Sequence, residues 1–411
     1  MTRLSPQSWM TAPETVKLMA ALGEARFVGG AVRNALIGKP VTEVDIATPL
    51  VPAEVEKRLA AAGMKAVPTG IEHGTITAVV DGRPFEVTTL RRDVETDGRR
   101  AVVAFTTDWT LDAQRRDFTM NALYASPDGE VLDTVGGVDD LKAGRVRFVG
   151  DAVTRIREDY LRILRLFRFH AFYGVGEIDA AALAAAMREK HGLAKLSGER
   201  IAKEMLRLFE AENPLPVLRT MAHVSVLSEV LPAEPNLARL MGLVAIETAN
   251  FSAADHLLRL AALMPGPESA VPPLVFAHEL CERWRLSNLQ RDRLQAIAVN
   301  DRRFAASLSA RDLRRLAYRL GKALTRDLLL LNWARDPDDA VGWRALLAMA
   351  EAWERPRFPL TGADAKRAGL SEGPLVGRVL AEVEAWWVEG DFSADAAALN
   401  ERLRQAVRAV G

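Results

Sequence analysis

Apolar positions change their period along this chain, and the change divides it. In the N-terminal third they recur every second residue, in short bursts. TITAVVDGRPFEVTTL reads as two strands joined at Asp81-Gly82, a dipeptide suited to the left-handed turn of a tight hairpin. VTEVDIAT alternates like a strand, with Val44 and Ile46 facing one way and Glu43 and Asp45 the other. RFVGGAV predicts a short strand, Arg26 to Val28, turning at Gly29-Gly30 into the helix AVRNALIG, which stops at Gly38. VPAEVEKRLAAAG predicts a helix with Pro52 near its start and Gly63 just past its end.

After about Val149 the period lengthens and strand signals stop. REDYLRILRLFRFHAF, DAAALAAAMREK, ERIAKEMLRLFEA and ARDLRRLAYRLGKAL all carry helical spacing, with proline-bearing joints at ENPLP, MPGPESAVPP and ERPRFPL. No internal repeat stands out. The expected architecture is α+β and mainly helical overall. A head with a small mixed sheet and helices spans 1–148. An all-α neck (149–210), body (211–340) and tail (341–411) follow.

Composition sharpens this picture only in part. At 411 residues the chain exceeds one ordinary domain of about 150. The 54 Lys and Arg balance 54 Asp and Glu, which excludes a uniformly basic nucleic-acid coat but not a local basic surface. Lys142 to Arg168 holds eight basic residues against three acidic, and Arg302 to Arg326 eight against one. The region of Glu382, Glu384, Glu389 and Asp391 is acidic and offsets them. The single cysteine, Cys281, can form neither an internal disulfide nor a thiolate zinc site alone, which favours a reducing, cytoplasmic setting. The opening residues lack a signal-like apolar core, and no apolar run reaches the ~20 residues of a membrane span, so no membrane association is expected.

The chemistry concentrates in the head. Glu43 and Asp45 project from one face of a predicted strand, and two acids so close repel unless a cation sits between them. Oxygen ligands of this kind suit Mg²⁺. Glu86 adds a third carboxylate if its strand lies beside the first. Taken alone, acid-x-acid is equally the pattern of a solvated strand face. The Gly29-Gly30 pair offers unhindered amides at a helix start, which suits phosphate, although a lone pair of glycines is usually only a turn. The order strand, Gly-Gly, helix, acid-x-acid within about 20 residues joins a phosphate holder to a metal holder. No GxxxxGK[ST] occurs, so a P-loop is excluded.

GGAVRNALIGKPVTEVDIAT resembles the signature of the bacterial and eukaryotic tRNA nucleotidyltransferase and poly(A) polymerase family, within the polymerase-β-like nucleotidyltransferases. Further segments resemble the same family in order. DAQRRDFTMNALY is similar to its ribose-contacting motif, EDYLRILR to its base-reading motif and LSGERIAKE to its neck helix, and GADAKRAGLSEGPLVGRVL resembles the tail of bacterial members. The resemblance implies template-independent addition of C, C and A to the 3′ end of tRNA from CTP and ATP, with pyrophosphate released. It implies two Mg²⁺ ions on Glu43 and Asp45, with Glu86 as third catalytic acid. Gly29, Gly30 and Arg33 are expected to hold the triphosphate, and Asp112, Arg115 and Arg116 the ribose and phosphate. Asp159, Arg162 and Arg165 are expected to read the base. The partners it implies are tRNA, held by acceptor arm and elbow, and the two nucleotides, with no protein partner. Two departures stand out. The family commonly has Asp where Glu43 and Asn34 stand. Glu43 keeps its charge but adds a methylene, so metal distances must be recovered by a backbone or rotamer shift.

The base-reading role obeys hydrogen-bond logic. Asp159 only accepts and Arg162 only donates. Cytosine and adenine each show an amino donor beside a ring-nitrogen acceptor, whereas uracil and guanine reverse that edge. One Asp-Arg pair therefore accepts C and A and rejects U and G. On a continuous helix Glu158, Arg162, Arg165 and Phe169 share a face, which is also the pattern of a solvated face laced by ion pairs. Arg115, Arg116 and Asp117 in RRDFTMNA can reach phosphate or ribose hydroxyls, or form a salt-bridged strand end. The polar stretch from Arg91 to Trp109 resembles by position the family's flexible loop for the switch from C to A, and as plain sequence reads as a surface loop.

Three alternatives are weighed. Bacterial poly(A) polymerases and A-adding tRNA nucleotidyltransferases share the head. The basic Arg-Arg-Phe segment that poly(A) polymerases usually carry before the third acid is missing from AGMKAVPTGIEHGTITAVVDG. An inactive RNA-binding protein on the same scaffold is motivated by Glu43. A metal phosphohydrolase in the body needs His-Asp clusters, and Asp255-His256 is in the reverse order, so that reading is rejected.

Overall fold

The hairpin predicted around Asp81-Gly82 forms as read. Thr75–Val80 (β4) pairs antiparallel with Arg83–Thr89 (β5), and both turn residues have positive φ, 50° and 84°. In the computed structural model, which describes residues 2–97, 100–250, 252–266 and 269–410, this hairpin belongs to a seven-stranded sheet. The other strands are Arg26–Val28 (β1), Asp45–Thr48 (β2), Lys65–Gly70 (β3), Leu123–Ala125 (β8) and Val131–Asp133 (β9), in the order β3-β4-β5-β2-β1-β8-β9. Only β2 and β5 run parallel, with Asp45 opposite Glu86. Every other pairing in the sheet is antiparallel. The helix Pro52–Ala61 buries Val55 and Leu59, with Pro52 in its first turn as expected.

Two predicted elements of this region change on folding. The strand read over VTEVDIAT begins only at Asp45, because β1 reaches no further than Val28↔Asp45 and β5 no further than Glu86↔Asp45. Val41–Val44 therefore have no ladder to join, although Val44 and Ile46 are still buried and Glu43 exposed. The stretch read as a loop between Arg91 and Trp109 instead holds a second sheet, in which Arg91–Asp97 (β6) pairs antiparallel with Arg100–Phe105 (β7). Its tip, residues 98 and 99, lies outside the described residues. The β-branched and aromatic residues of AVVAF have strand preference that the charged partner strand masked.

The chain divides into two compact units, Met1–Pro232 and Ala233–Gly411. In the first, the helices Leu161–Tyr173, Gly198–Phe209 and Leu215–His223 follow the sheet, and the first of them packs against the other two. The helix expected to run through EDYLRILR is broken. Ala152–Glu158 ends at Asp159, whose backbone is extended (φ −156°, ψ 106°), and Leu161–Tyr173 begins anew. At the break a Cβ on Gly192 would come within 1.9 Å of the Tyr160 ring, so only glycine fits there.

The second unit, like the first from Gly137 onward, has no strand among the described residues. The periodic run ARDLRRLAYRLGKAL is two helices, Ala310–Leu320 and Lys322–Arg335, parted at Gly321 with φ 81°. A core of Tyr318, Val379, Val383, Trp387, Leu399 and Leu403 holds the C-terminal helices to the first of these. Among the described residues no helix is long and apolar enough to cross a membrane.

Candidate active site

The first unit carries a cleft of about 700 Å³ whose floor is the glycine turn and the start of β2. Gly29 has φ 65°, and its N–H donates to Leu123 O at 3.1 Å, so the sheet takes up one of the two amides expected to meet phosphate. Glu43 and Asp45 line the cleft. Glu86 is exposed on the neighbouring strand at the same level as Asp45. Burial pushes the Asp45 carboxyl up to about 6, and the charges of Glu86 and Glu43 push the same way, against Arg116. Glu43 and Glu86, on neighbouring backbone segments, thus oppose the ionisation of Asp45, and a cation beside it would relieve that repulsion.

Arg33 is 93% buried in the helix Gly30–Leu36 yet lines the cleft. Its guanidinium donates to Asn34 Oδ1 (3.0 and 3.1 Å), Asn121 Oδ1 (2.6 Å) and Tyr173 Oη (2.7 Å). All three acceptors are neutral. Asn34, one of the two departures from the family pattern, also donates to Pro40 O at 2.8 Å and so closes the turn after this helix.

Asp112, expected to meet ribose or phosphate, is buried and is not among the residues that line the cleft. It is 1% exposed and accepts from Arg91 N (3.2 Å), Arg115 Nε (2.8 Å), Arg116 Nη2 (3.0 Å) and Tyr124 Oη (2.7 Å). Burial alone would raise its carboxyl, but the Arg116 and Arg115 charges and the Tyr124 hydroxyl hold it down at about 2. Of the two arginines it fixes, Arg116 lines the cleft and Arg115 does not. The acid of this motif that does line the cleft is Asp117. It accepts from Arg165 (2.5 and 2.8 Å) and Asn121 Nδ2 (3.0 Å), and these, with Phe118 N, overcome burial to hold it near 2.

The base-reading trio is split in the same way. Arg165 lines the cleft, stacked 5.3 Å from the Phe169 ring centroid. Asp159 and Arg162 are not among its lining residues. Their backbones meet, Arg162 N donating to Asp159 O at 3.0 Å, but no hydrogen bond joins their side chains. Asp159 accepts from Leu161 N (3.1 Å) and Arg200 (2.7 Å), and Arg162 donates to Glu158 (2.5 Å) and Arg155 O (2.8 Å). The acceptor and the donor of the proposed edge are therefore each held in place by a different partner. Sequence reasoning missed Asn121, Lys39, Arg168 and Tyr173 on the cleft wall. Asn121 could have been found at four residues beyond Asp117. Nothing in the spacing pointed to Lys39 or Tyr173, which approach from opposite ends of the unit's sequence.

A glycine turn, an acid cluster on adjacent strands of a mixed sheet and a wall of arginines from following helices are the parts of a polymerase-type nucleotidyltransferase. Residues 25–147 match the family described as Poly A polymerase head domain, and residues 177–237 the family described as Probable RNA and SrmB-binding site of polymerase A. The mitochondrial CCA tRNA nucleotidyltransferase 1 of Mus musculus is 35% identical over 383 residues, 90% of this chain and 84% of that protein. The CCA-adding enzyme of Streptococcus pyogenes serotype M2 is 32% identical over 400 residues, 96% of each. The crystal structure of the Bacillus stearothermophilus CCA-adding enzyme in complex with CTP superposes with a TM-score of 0.76 at 26% identity, covering 97% of this chain and 98% of that one. The chain belongs to the CCA-adding tRNA nucleotidyltransferases.

Proposed function

We propose that this chain completes the 3′ end of tRNA by adding C, C and A from CTP and ATP. The tRNA 3′-hydroxyl oxygen bonds to the α-phosphorus, the bond to the bridging oxygen breaks, and pyrophosphate leaves. The observation that carries the assignment of the chemistry is the acid cluster. Asp45, half-buried and opposed by Glu43 and Glu86, calls for positive charge where the cleft opens.

The donor set is all oxygen, which fits Mg²⁺. Among the described residues no group of three or more His, Cys, Asp or Glu is arranged to hold a metal by itself. The ions would thus rest on Glu43 and Asp45, with the nucleotide's own phosphates completing their shells. When bound, Mg²⁺ supplies a lowered hydroxyl pKa and neutralises the triphosphate. The protein's own contribution is placement. Arg33 and Arg116 meet phosphate, and Arg165 and Asp117 set the cleft wall. Asp159 and Arg162, which lie off the cleft on Arg200 and Glu158, would have to exchange those partners to present an acceptor and a donor to the base edge. Catalysis then comes from positioning and charge stabilisation without a covalent protein intermediate. We place the enzyme in the cytoplasm, on the strength of its single, buried cysteine.

The test is a tRNA transcript lacking CCA, incubated with Mg²⁺ and all four nucleotides, with its 3′ ends sequenced. The expected product ends in CCA, and Asp45→Ala reduces incorporation by about 10³-fold or more. ATP-only tailing of arbitrary RNA would favour the poly(A) polymerase reading. No incorporation from any nucleotide would leave an RNA-binding protein on the same scaffold.

A further inference from the structure

Arg33 is a buried cation of the cleft whose side-chain acceptors are all neutral, with Asp117 acting on it only through space. Its guanidinium is buried, no carboxylate accepts from it, and burial lowers its pKa. What lies against it is an aromatic ring. Tyr173, at the end of the helix Leu161–Tyr173, sets its ring centroid 4.1 Å from Arg33 Cζ, and its hydroxyl donates to Asn34 Oδ1 at 3.2 Å while accepting from Arg33. The same ring meets a second cation, with Lys39 Nζ 4.7 Å from its centroid. Lys39 is exposed, lines the cleft and donates to Phe172 O at 2.5 Å. It is carried by the turn that Asn34 closes through Pro40 O.

Two cations converging on one ring repel each other, and no acid hydrogen-bonds to either of them. A π face offsets part of that cost, since its quadrupole attracts a cation without neutralising it. A carboxylate would hold the same guanidinium more firmly but would cancel the charge an anionic ligand needs. The arrangement fits an anion carrying more than one charge.

We propose that Tyr173 is a positioning residue that presents Arg33 and Lys39 together to the pyrophosphate portion of the nucleotide, and that Lys39 is a further phosphate ligand. The inference rests on the reading of Arg33 as a triphosphate holder. It concerns the part of the nucleotide that leaves, so CTP and ATP are affected alike and the base is not involved.

The test uses the full chain with Mg²⁺ and titration calorimetry of CTP, ATP, CMP and inorganic tripolyphosphate, with melting temperature as a check on folding. Tyr173→Leu is expected to weaken CTP, ATP and tripolyphosphate about 10-fold and CMP less than about 2-fold. Tyr173→Phe keeps the ring and loses the hydroxyl, and Lys39→Met removes one charge; each is expected to weaken the same three ligands about 3-fold. Arg33→Met serves as the reference. If it abolishes tripolyphosphate binding while the Tyr173 and Lys39 variants bind as wild type, this inference is wrong and the triphosphate reading stands. If Arg33→Met itself binds tripolyphosphate normally, the triphosphate reading falls and this inference with it. Equal weakening of CMP and CTP in Tyr173→Leu would also overturn the proposal, because the effect would then not lie at the pyrophosphate. Should Tyr173→Leu fail to fold, Tyr173→Phe and Lys39→Met decide the matter.

Discussion

Two buried arginines, one in each unit, show how differently the same side chain can be housed. Arg239 in the second unit is 2% exposed and saturated. It donates to Asp301 Oδ2 (2.7 Å) and to the carbonyls of Ala262 (2.9 Å), Ala261 (2.8 Å) and Met264 (2.9 Å), and Arg335 reaches the other oxygen of Asp301. Arg33 is 7% exposed and has three neutral acceptors, an aromatic ring and an open cleft. Burial lowers the pKa of both; Arg239 has a hydrogen-bonded carboxylate, Asp301, to offset it, whereas Arg33 has only the charge of Asp117 at a distance and the Tyr173 ring and hydroxyl. A compensated arginine clamps helices, whereas an uncompensated one at a cleft stores a demand for an anion. Burial alone therefore does not mark an arginine as structural or functional. The inventory of its acceptors does.

The comparison breaks most sharply under paired substitution. Arg239→Met leaves Asp301 with one of its two arginines and takes the guanidinium donor from three carbonyls, of which Ala261 O keeps Met264 N. It is expected to destabilise the second unit by about 3–5 kcal/mol, read from urea unfolding, while CTP affinity stays within about 2-fold. Arg33→Met is expected to do the reverse, weakening CTP about 100-fold with a nearly unchanged melting temperature. A large loss of stability in Arg33→Met without loss of CTP binding would erase the distinction.

Asp112 tests the same contrast within the first unit, since it is a carboxylate saturated by the arginines it positions. Its folded-state pKa of about 2 lies below the ordinary 3.8, so its ionised form stabilises the fold. That contribution is complete above about pH 4 and is lost as pH falls through about 2, because below both values folded and unfolded states bind the proton alike. Asp112→Asn is expected to cost about 2 kcal/mol or more at pH 7, with the gap to wild type closing between pH 4 and 2 in denaturant titrations. A gap that does not change with pH would show that packing, not charge, holds this residue.

Much of the site was legible before folding, and the misses have physical causes. The hairpin turn, the glycine turn and the acid pair depend on residues within a few positions of one another, and local chemistry dictates them. The adjacency of Glu86 to Asp45 was conditional on strand order, which the register Asp45↔Glu86 supplies. Helical spacing carried Glu158, Arg162, Arg165 and Phe169 along one continuous helix because periodicity does not register a single extended residue. At the break Gly192 packs against the Tyr160 ring, a contact between distant segments that helical spacing does not show. The burial of Asp112 was hidden for a related reason. An acid three residues before an arginine pair reads as part of a polar motif, and only the surrounding Tyr124 and Arg91 show that it faces inward.

Charge in the second unit gives the smallest and most informative test. Sequence suggested a basic segment, Arg302 to Arg326, free to grip RNA, with acidic residues elsewhere restoring neutrality. The structure brings those acids onto it. Arg314 pairs with Asp391, Arg315 with Glu389 at 2.7 Å and Arg319 with Glu389 at 3.2 Å, while Arg311 donates to the Glu389 carbonyl. Arg302, Arg303 and Arg326 stay exposed. If the paired arginines serve only to seat the C-terminal helices, neutralising their partners in Glu389→Gln/Asp391→Asn should lower stability by less than about 1 kcal/mol per exposed pair and leave RNA affinity alone. If instead the acids mask a phosphate-binding face, the double variant should bind tRNA about 2- to 5-fold more tightly at low salt, with a steeper loss of affinity as salt rises. We expect the first outcome. The helix Ala310–Leu320 already spends four arginines on Glu389 and Asp391, so the exposed Arg302, Arg303 and Arg326 are the better candidates for phosphate. A change in the slope of log affinity against log salt when those three are replaced, and not when the two acids are, would locate the gripping surface.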